Sequence, residues 1–205
     1  MPKVRGKKEE VHQPYWATVI RGTPTLFSPN AVLSSPVDLF MQGSTGNIAI
    51  TNFSGSAGFS GDRVYRILAM RVGLYFRGCV GTASYGGAIT DNMLYHRASS
   101  QLFWTLFAGQ KEQVKATTPY LPLGGGLYGD IGSDTSVLIN NGLPSQEAIC
   151  KLARGITLPA RQEFSVQCTI AALGAANLVT DINALSAGEV DIKFYVDGIS
   201  TRDVL

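Results

Sequence analysis

Charged side chains are scarce in this 205-residue chain: Asp, Glu, Lys and Arg make up 16% of it, against about 25% in an average soluble domain. A lone molecule normally stays dispersed behind a coat of such groups. Either Ser, Thr, Asn and Gly supply the solvated surface, or neighbouring subunits cover much of it, where buried charge would be costly to desolvate. We favour the second. Histidine is scarcer still. The two histidines, His12 and His96, stand far apart, with no H-x-H or H-x-x-x-H spacing to hold a metal. Cys79, Cys150 and Cys168 are an odd number without metal-like spacing, so nothing demands an oxidising compartment. Cys168 falls in an alternating apolar row and reads as a small core residue. No apolar run reaches the roughly 18 residues of a membrane-spanning helix. No apolar segment follows the N-terminal charges as it would in a signal peptide, so the sequon Asn52, Phe53, Ser54 carries little weight.

Motifs for catalysis are equally thin. Residues 124–129 satisfy the letters G-x-G-x-x-G, but dinucleotide binding needs a strand before them and a helix after. Pro119 and Pro122 precede them and no helical pattern follows, so they read as a loop. There is no G-x-S-x-G elbow to present a nucleophilic serine. Asp130, Asp134, Asp181 and Asp191 sit where turns or solvent faces would use them anyway. We expect no catalytic residue, metal, cofactor or small-molecule substrate, and hence no enzyme.

What is present begins at the N-terminus. Lys3, Arg5, Lys7 and Lys8 precede Glu9 and Glu10, and this excess accounts for the whole formal charge of +2. The remainder is formally neutral. Residues 1–13 are expected to form a flexible basic arm, with a single domain over 14–205 that buries roughly 70% of its extended surface. The arm's first eight residues hold no aromatic side chain to stack on bases, so it would read phosphate alone. One copy is a weak ligand; many copies in one assembly act together.

Period-two patterning dominates the rest. At positions 64–76 every even residue except Arg66 is apolar, as one buried face of a long strand requires. Residues 164–170 and 190–196 alternate in the same way. Prolines at 14, 24, 29 and 36 suit an extended lead-in, and 47–52 is a short strand candidate. Gly78 to Gly87 reads as a small-residue loop, 92–108 as a short helix running into an aromatic strand, 117–136 as a long exposed loop, and 145–152 as a helical turn. Asp197 and Gly198 form a strong turn dipeptide before a final short strand. This is an all-β, antiparallel β-sandwich with long loops, expected to be an eight-stranded jelly roll. Aromatics in or near those loops, Tyr85, Tyr95, Trp104, Tyr120 and Tyr128, are candidate subunit-interface anchors.

The basic arm at 3–8, the proline-punctuated lead-in, the strand at 64–76, the loop at 117–136 and the two alternating C-terminal strands resemble the single jelly-roll capsid proteins of small icosahedral viruses and phages. Residues 156–170 resemble the loop and penultimate strand of such coats, with 190–196 as the closing strand. The arm is shorter and poorer in arginine than in many of them, and the chain is too short for a double jelly roll. The resemblance implies a virion protein that self-assembles into an icosahedral shell around the genome. Its partners would be other copies of itself, other virion proteins, packaged nucleic acid reached through the arm, and an inner membrane where one underlies the shell. The rival is a β-sandwich binding module such as a viral spike, fibre or lectin-like adhesin.

Overall fold

The computed structural model describes residues 8–20, 37–40, 52, 63–83, 86–123, 149–171 and 178–203. Strands fill 66% of them, which makes the class all-β despite two helices. The described strands are β1 (Lys8–His12), β2 (Tyr15–Ile20), β3 (Val37–Asp38), β4 (Val64–Thr82), β5 (Ala88–Ile89), β6 (Leu102–Ala108), β7 (Lys111–Thr117), β8 (Cys150–Leu158), β9 (Phe164–Ile170) and β10 (Leu185–Asp203). Helix α1 (Asp91–Gln101) runs directly into β6, and α2 (Leu178–Asn183) precedes β10.

Two antiparallel sheets result. In one, β1 and β2 lie end to end along one side of β10, β10 pairs with β4, and β4 pairs with β8 and β5. In the other the order is β3-β9-β6-β7. The same register runs through β1 and β2, from Lys8 opposite Asp203 to Ile20 opposite Asp191. They are one edge strand interrupted at Pro14, which has no N–H to donate; the Gln13 N–H bridges the gap by donating to the Gly198 carbonyl at 3.0 Å. With β1 and β2 taken together and the two-residue β5 set aside, the first sheet reads first, eighth, third, sixth in chain order. The second reads second, seventh, fourth, fifth.

The alternating rows form the core, except that in β4 the buried face changes from odd to even positions at the extra residue Leu68: Val64 and Arg66, expected on the buried row, are exposed, and Tyr65 and Ile67 are buried instead. Tyr65, Ile67, Met70, Val72, Leu74 and Phe76 of β4 lie beside Val190, Ile192, Phe194 and Val196 of β10, all buried. Opposite them stand Trp104 and Leu106 of β6 and Phe164, Val166, Cys168 and Ile170 of β9. Trp104 meets Phe194 across the sandwich with ring centroids 5.2 Å apart, joining the two sheets by an aromatic pair. Cys168 is a core residue, as its row implied, and burial raises its thiol pKa. It is inert on that account.

Several local expectations are corrected. Lys8–His12 is a paired strand rather than part of a flexible arm, because β10 is long enough to supply it with partners. Asp197 and Gly198 run straight on inside β10 instead of forming a turn, opposite a bulge in which β4 carries the extra residue Leu68. The residues beyond them find hydrogen-bonding partners in both β1 and the start of β4, so the chain runs on. Gly198 is needed there for close approach: a Cβ would collide with the Arg66 carbonyl oxygen and the Tyr65 ring. β4 continues through Gly78 to Thr82 rather than ending in a loop, since Leu185, Ala187 and Glu189 pair along it through two register shifts. Cys150 to Leu152 belong to a strand and not to a helical turn. The candidate strand at 47–52 lies outside the described residues except for Asn52.

The helix at 91–101 starts where Thr90 Oγ1 accepts from the Met93 N–H at 3.3 Å. Its first-turn Asp91 carboxylate accepts from the N–H groups of Gly78 and Cys79, at 3.0 and 2.8 Å, which moors the helix to β4. Between the helices, Arg97 forms an ion pair with Asp181, and their side chains are 9% and 0% exposed. Gln101 Oε1 accepts from the Leu178 N–H at the start of α2 at 2.9 Å. Asp181 is therefore a buried partner rather than a turn or surface acid. Arg97 and Gln101 are buried with it.

Candidate functional site

Function in a sandwich with a closed core lies on its outward faces and edges. Along β10 the half-buried Asp191, Lys193, Tyr195 and Asp197 alternate with the core row and point outward. Register places Tyr195 beside Arg71, and Asp191 beside Tyr75, on β4. Arg71 grips Asp197 side-on, Nε to Oδ2 at 2.6 Å and Nη2 to Oδ1 at 2.8 Å, the two-bond geometry that suits guanidinium to carboxylate. Its guanidinium carbon also stands 5.3 Å from the centre of the Tyr195 ring, and Lys193 Nζ stands 5.6 Å from that of Tyr75, within cation–π range. Farther along, Arg77 and Glu189 approach to 3.8 Å but are 70% and 74% exposed, so this pair adds little stability. The face is charged yet internally matched.

Burial shifts its tyrosines. Tyr195 is raised well above the ordinary phenol value by burial, by its hydrogen bond with Tyr75, and by the nearby Tyr75 and Asp197, with Arg71 opposing. Tyr65 is raised by burial first, then by Tyr15 and Asp197. Its hydroxyl donates to the carbonyls of Gln13 at 2.6 Å and Val196 at 3.2 Å. Tyr95 is pushed up to about 12, chiefly by burial, and donates to the Leu74 carbonyl. These groups hold their protons longer in the folded chain than in the unfolded one. Their contribution to stability is whole below about pH 10 and lost as pH rises toward the folded values. Stability should fall above pH 10 by about 1.4 kcal/mol per unit for each such tyrosine. Tyr95→Phe should remove one tyrosine's share of that slope. Denaturation midpoints measured from neutral to strongly alkaline pH check this, and a flat profile would contradict the burial.

The edges complete the surface. At β2, Asn52 latches the strand from the side: its Oδ1 accepts from the Trp16 N–H at 2.8 Å and its Nδ2 donates to the Pro14 carbonyl at 2.9 Å. The sequon nitrogen is thus engaged in a backbone contact. Asn supplies the donor and acceptor that a neighbouring strand would, which protects an open edge.

The expected site residues divide sharply. Trp104 and Tyr95 are 2% and 4% exposed, so they are not interface anchors. Trp104 Nε1–H donates to Thr118 Oγ1 at 2.9 Å inside the sandwich, and the Tyr95 ring stacks edge-on against Phe76 at 5.0 Å. Tyr120 is 75% exposed, on a short turn (Thr118–Tyr120) that the Trp104 bond anchors. Lys8 opens β1 and is exposed. Lys3, Arg5, Lys7, Tyr85 and Tyr128 lie outside the described residues, as do Asp130, Asp134 and residues 124–129. Among the described residues, no three His, Cys, Asp or Glu side chains cluster closely enough to hold a metal ion. No described helix is long and apolar enough to cross a membrane.

The sequence reading missed Asn52, because a carboxamide's partners lie far along the chain. It also missed the Arg97–Asp181 pair, whose members lie far apart in the chain. Comparison with known proteins finds no matching family model, curated protein or solved structure.

Proposed function

We propose that this protein is the subunit of an icosahedral virion shell, built as an eight-stranded jelly roll, with the genome contacted through its basic N-terminus. The observation that carries the reading is the strand order: first, eighth, third, sixth in one sheet and second, seventh, fourth, fifth in the other. That order is two interlocked Greek keys, the arrangement used by viral capsid domains and by some lectins and cupins. Three further features favour a shell over its fold-mates. The chain is only 16% charged, the described residues hold no metal-like cluster of the kind a cupin needs, and its cationic segment leads into an edge strand. An exposed Tyr120 on an anchored turn is the type of side chain that fills a pocket on a neighbour.

The test is the size of the purified full chain at physiological salt. Light scattering and negative-stain imaging are expected to find closed particles many times the 21.9 kDa subunit mass. A monomer that persists at high concentration overturns the reading. A small discrete oligomer that binds glycans would instead support the adhesin-like module.

Deleting residues 1–7 removes Lys3, Arg5 and Lys7 and stops short of β1, so the fold should survive unchanged by circular dichroism and denaturation. Extending the cut through residue 12 would strip an edge strand and its Glu9–Arg202 ion pair of 2.6 Å. Three phosphate contacts fewer should flatten the slope of log affinity against log salt by about 3 for duplex DNA. Filter-binding titrations across salt concentrations read this directly, and an unchanged slope removes the arm from the contact.

A further inference from the structure

We propose that Arg66, Lys151 and Arg154 form a second phosphate-binding patch for a nucleic-acid backbone, continuing the track that the N-terminal segment begins. The proposal rests on the genome-contact part of the function above. It starts from a contrast within one sheet. Arg71, Arg77 and Arg202 each have a carboxylate partner, in Asp197, Glu189 and Glu9. Arg66, Lys151 and Arg154 are exposed, and among the described residues no carboxylate lies within ion-pair reach of any of them.

The backbone brings these three together. Ile156 pairs with Ile67 and Lys151 with Ala69, so residues 152–155 of β8 stand opposite Leu68 alone. A surplus of this kind forces the strand out of its ladder, a device common beside functional sites, and here Ala153 and Arg154 stand exposed. A Cβ at residue 155 would lie 2.6 Å from Arg66 Nε. The Arg66 side chain thus lies against residue 155, and any larger residue there would push it aside. Like charges set side by side on a sheet are destabilising, and an anion between them reverses the sign of that term. Thr157, opposite Arg66 and exposed, adds a hydroxyl donor.

The patch and β1, which begins at Lys8, share one sheet. A single row crosses it through His12, Ile199, Arg66 and Thr157, and Lys8 lies four residues from His12 along β1. Strand spacings put Lys8 about 17 Å from Arg66, whereas a seven-residue segment can reach up to about 24 Å. One phosphate chain can engage both. Bidentate guanidinium groups suit phosphate oxygens, and the lysine adds a point charge.

The experiment measures binding of a labelled oligothymidylate to the full chain by fluorescence anisotropy over a range of salt. It compares wild type, the 1–7 deletion, the triple variant Arg66→Gln, Lys151→Gln, Arg154→Gln, and the two combined. The triple variant should lower the salt slope by about 2, from three single-strand phosphate contacts, and should do so in the deletion background too. Arg66→Lys with Arg154→Lys should restore most of the slope. Gly155→Ala, which changes no charge, should weaken binding by displacing Arg66, with circular dichroism confirming the fold. An unchanged slope in the triple variant means that the cations only guard the β8 edge, and overturns the proposal. So does loss of binding to anionic vesicles without loss of oligonucleotide binding. Light scattering on the same samples reads assembly separately: binding lost with particles intact condemns the patch alone, and binding retained by a permanent monomer condemns the shell alone.

Discussion

Asp181→Ala should lose about 3–5 kcal/mol of folding stability, the usual result of leaving one member of a buried ion pair alone. Arg97, with its side chain 9% exposed, would then lose the buried carboxylate it faces across the two helices. Stability in domains of this size is only about 5–15 kcal/mol in total, so the variant should approach the threshold for folding. The expected fall in melting temperature is about 6–20 °C, from roughly 2–4 °C per kcal/mol. Replacing both partners, Arg97→Met with Asp181→Leu, should recover most of the loss or exceed wild type, because two desolvated charges are replaced by apolar packing. Urea midpoints of the three proteins decide the matter. A double variant no better than the single one would mean that the pair acts through more than its mutual charge. The cycle also tests whether α1 and α2 fold as one unit with the sandwich, since the pair and the Gln101 contact to Leu178 both link them.

Trp104→Ala should cost a comparable amount, about 3–5 kcal/mol, from the lost transfer energy and the cavity left behind. Trp104 is 2% exposed, and its ring is the inter-sheet partner of Phe194. The same substitution leaves Thr118 Oγ1 without its indole donor, which loosens the turn that presents Tyr120. Trp104→Phe keeps most of the ring contact and loses only the donor, so it separates the two effects. It should recover more than half of the stability while leaving the turn perturbed. Chemical denaturation measures the first effect, and the amide hydrogen exchange of Leu121, whose N–H donates to the Thr118 carbonyl at 2.9 Å, measures the second. Equal protection in wild type and both variants would show that the turn stands without the tryptophan.

The surface predictions are smaller in energy but closer to function. The N-terminal deletion and the Arg66, Lys151, Arg154 series both change net charge, and net charge alone shifts association with any polyanion. Gly155→Ala carries particular weight for that reason. It alters geometry at constant charge, so a loss of affinity there is a statement about placement.

The alternating rows at 70–76, 164–170 and 190–196 could be read without coordinates, because a strand's side chains repeat every second residue and burial needs one apolar row; at 64–68 the expected row faces outward, because the extra residue Leu68 shifts the period by one. So could the helix-to-strand change within 92–108 and the core place of Cys168. Other features resisted for a common reason. Asp and Gly at 197 and 198 are the residues of a tight turn. Only the presence of β1 and the start of β4 as partners carries the strand through them. Tyr95 and Trp104 look like loop aromatics, but the sandwich closes over them. Asp181 reads as a solvent acid until Arg97 arrives from more than 80 positions away. The sequence by itself determined the class, the strands that fill the core, and the separation of a cationic leader from a neutral body, since these follow from local period and charge. The tertiary structure alone decided the strand order, the buried ion pair and which cations stand apart from the described carboxylates, because each depends on contacts between residues that chain distance does not bring together.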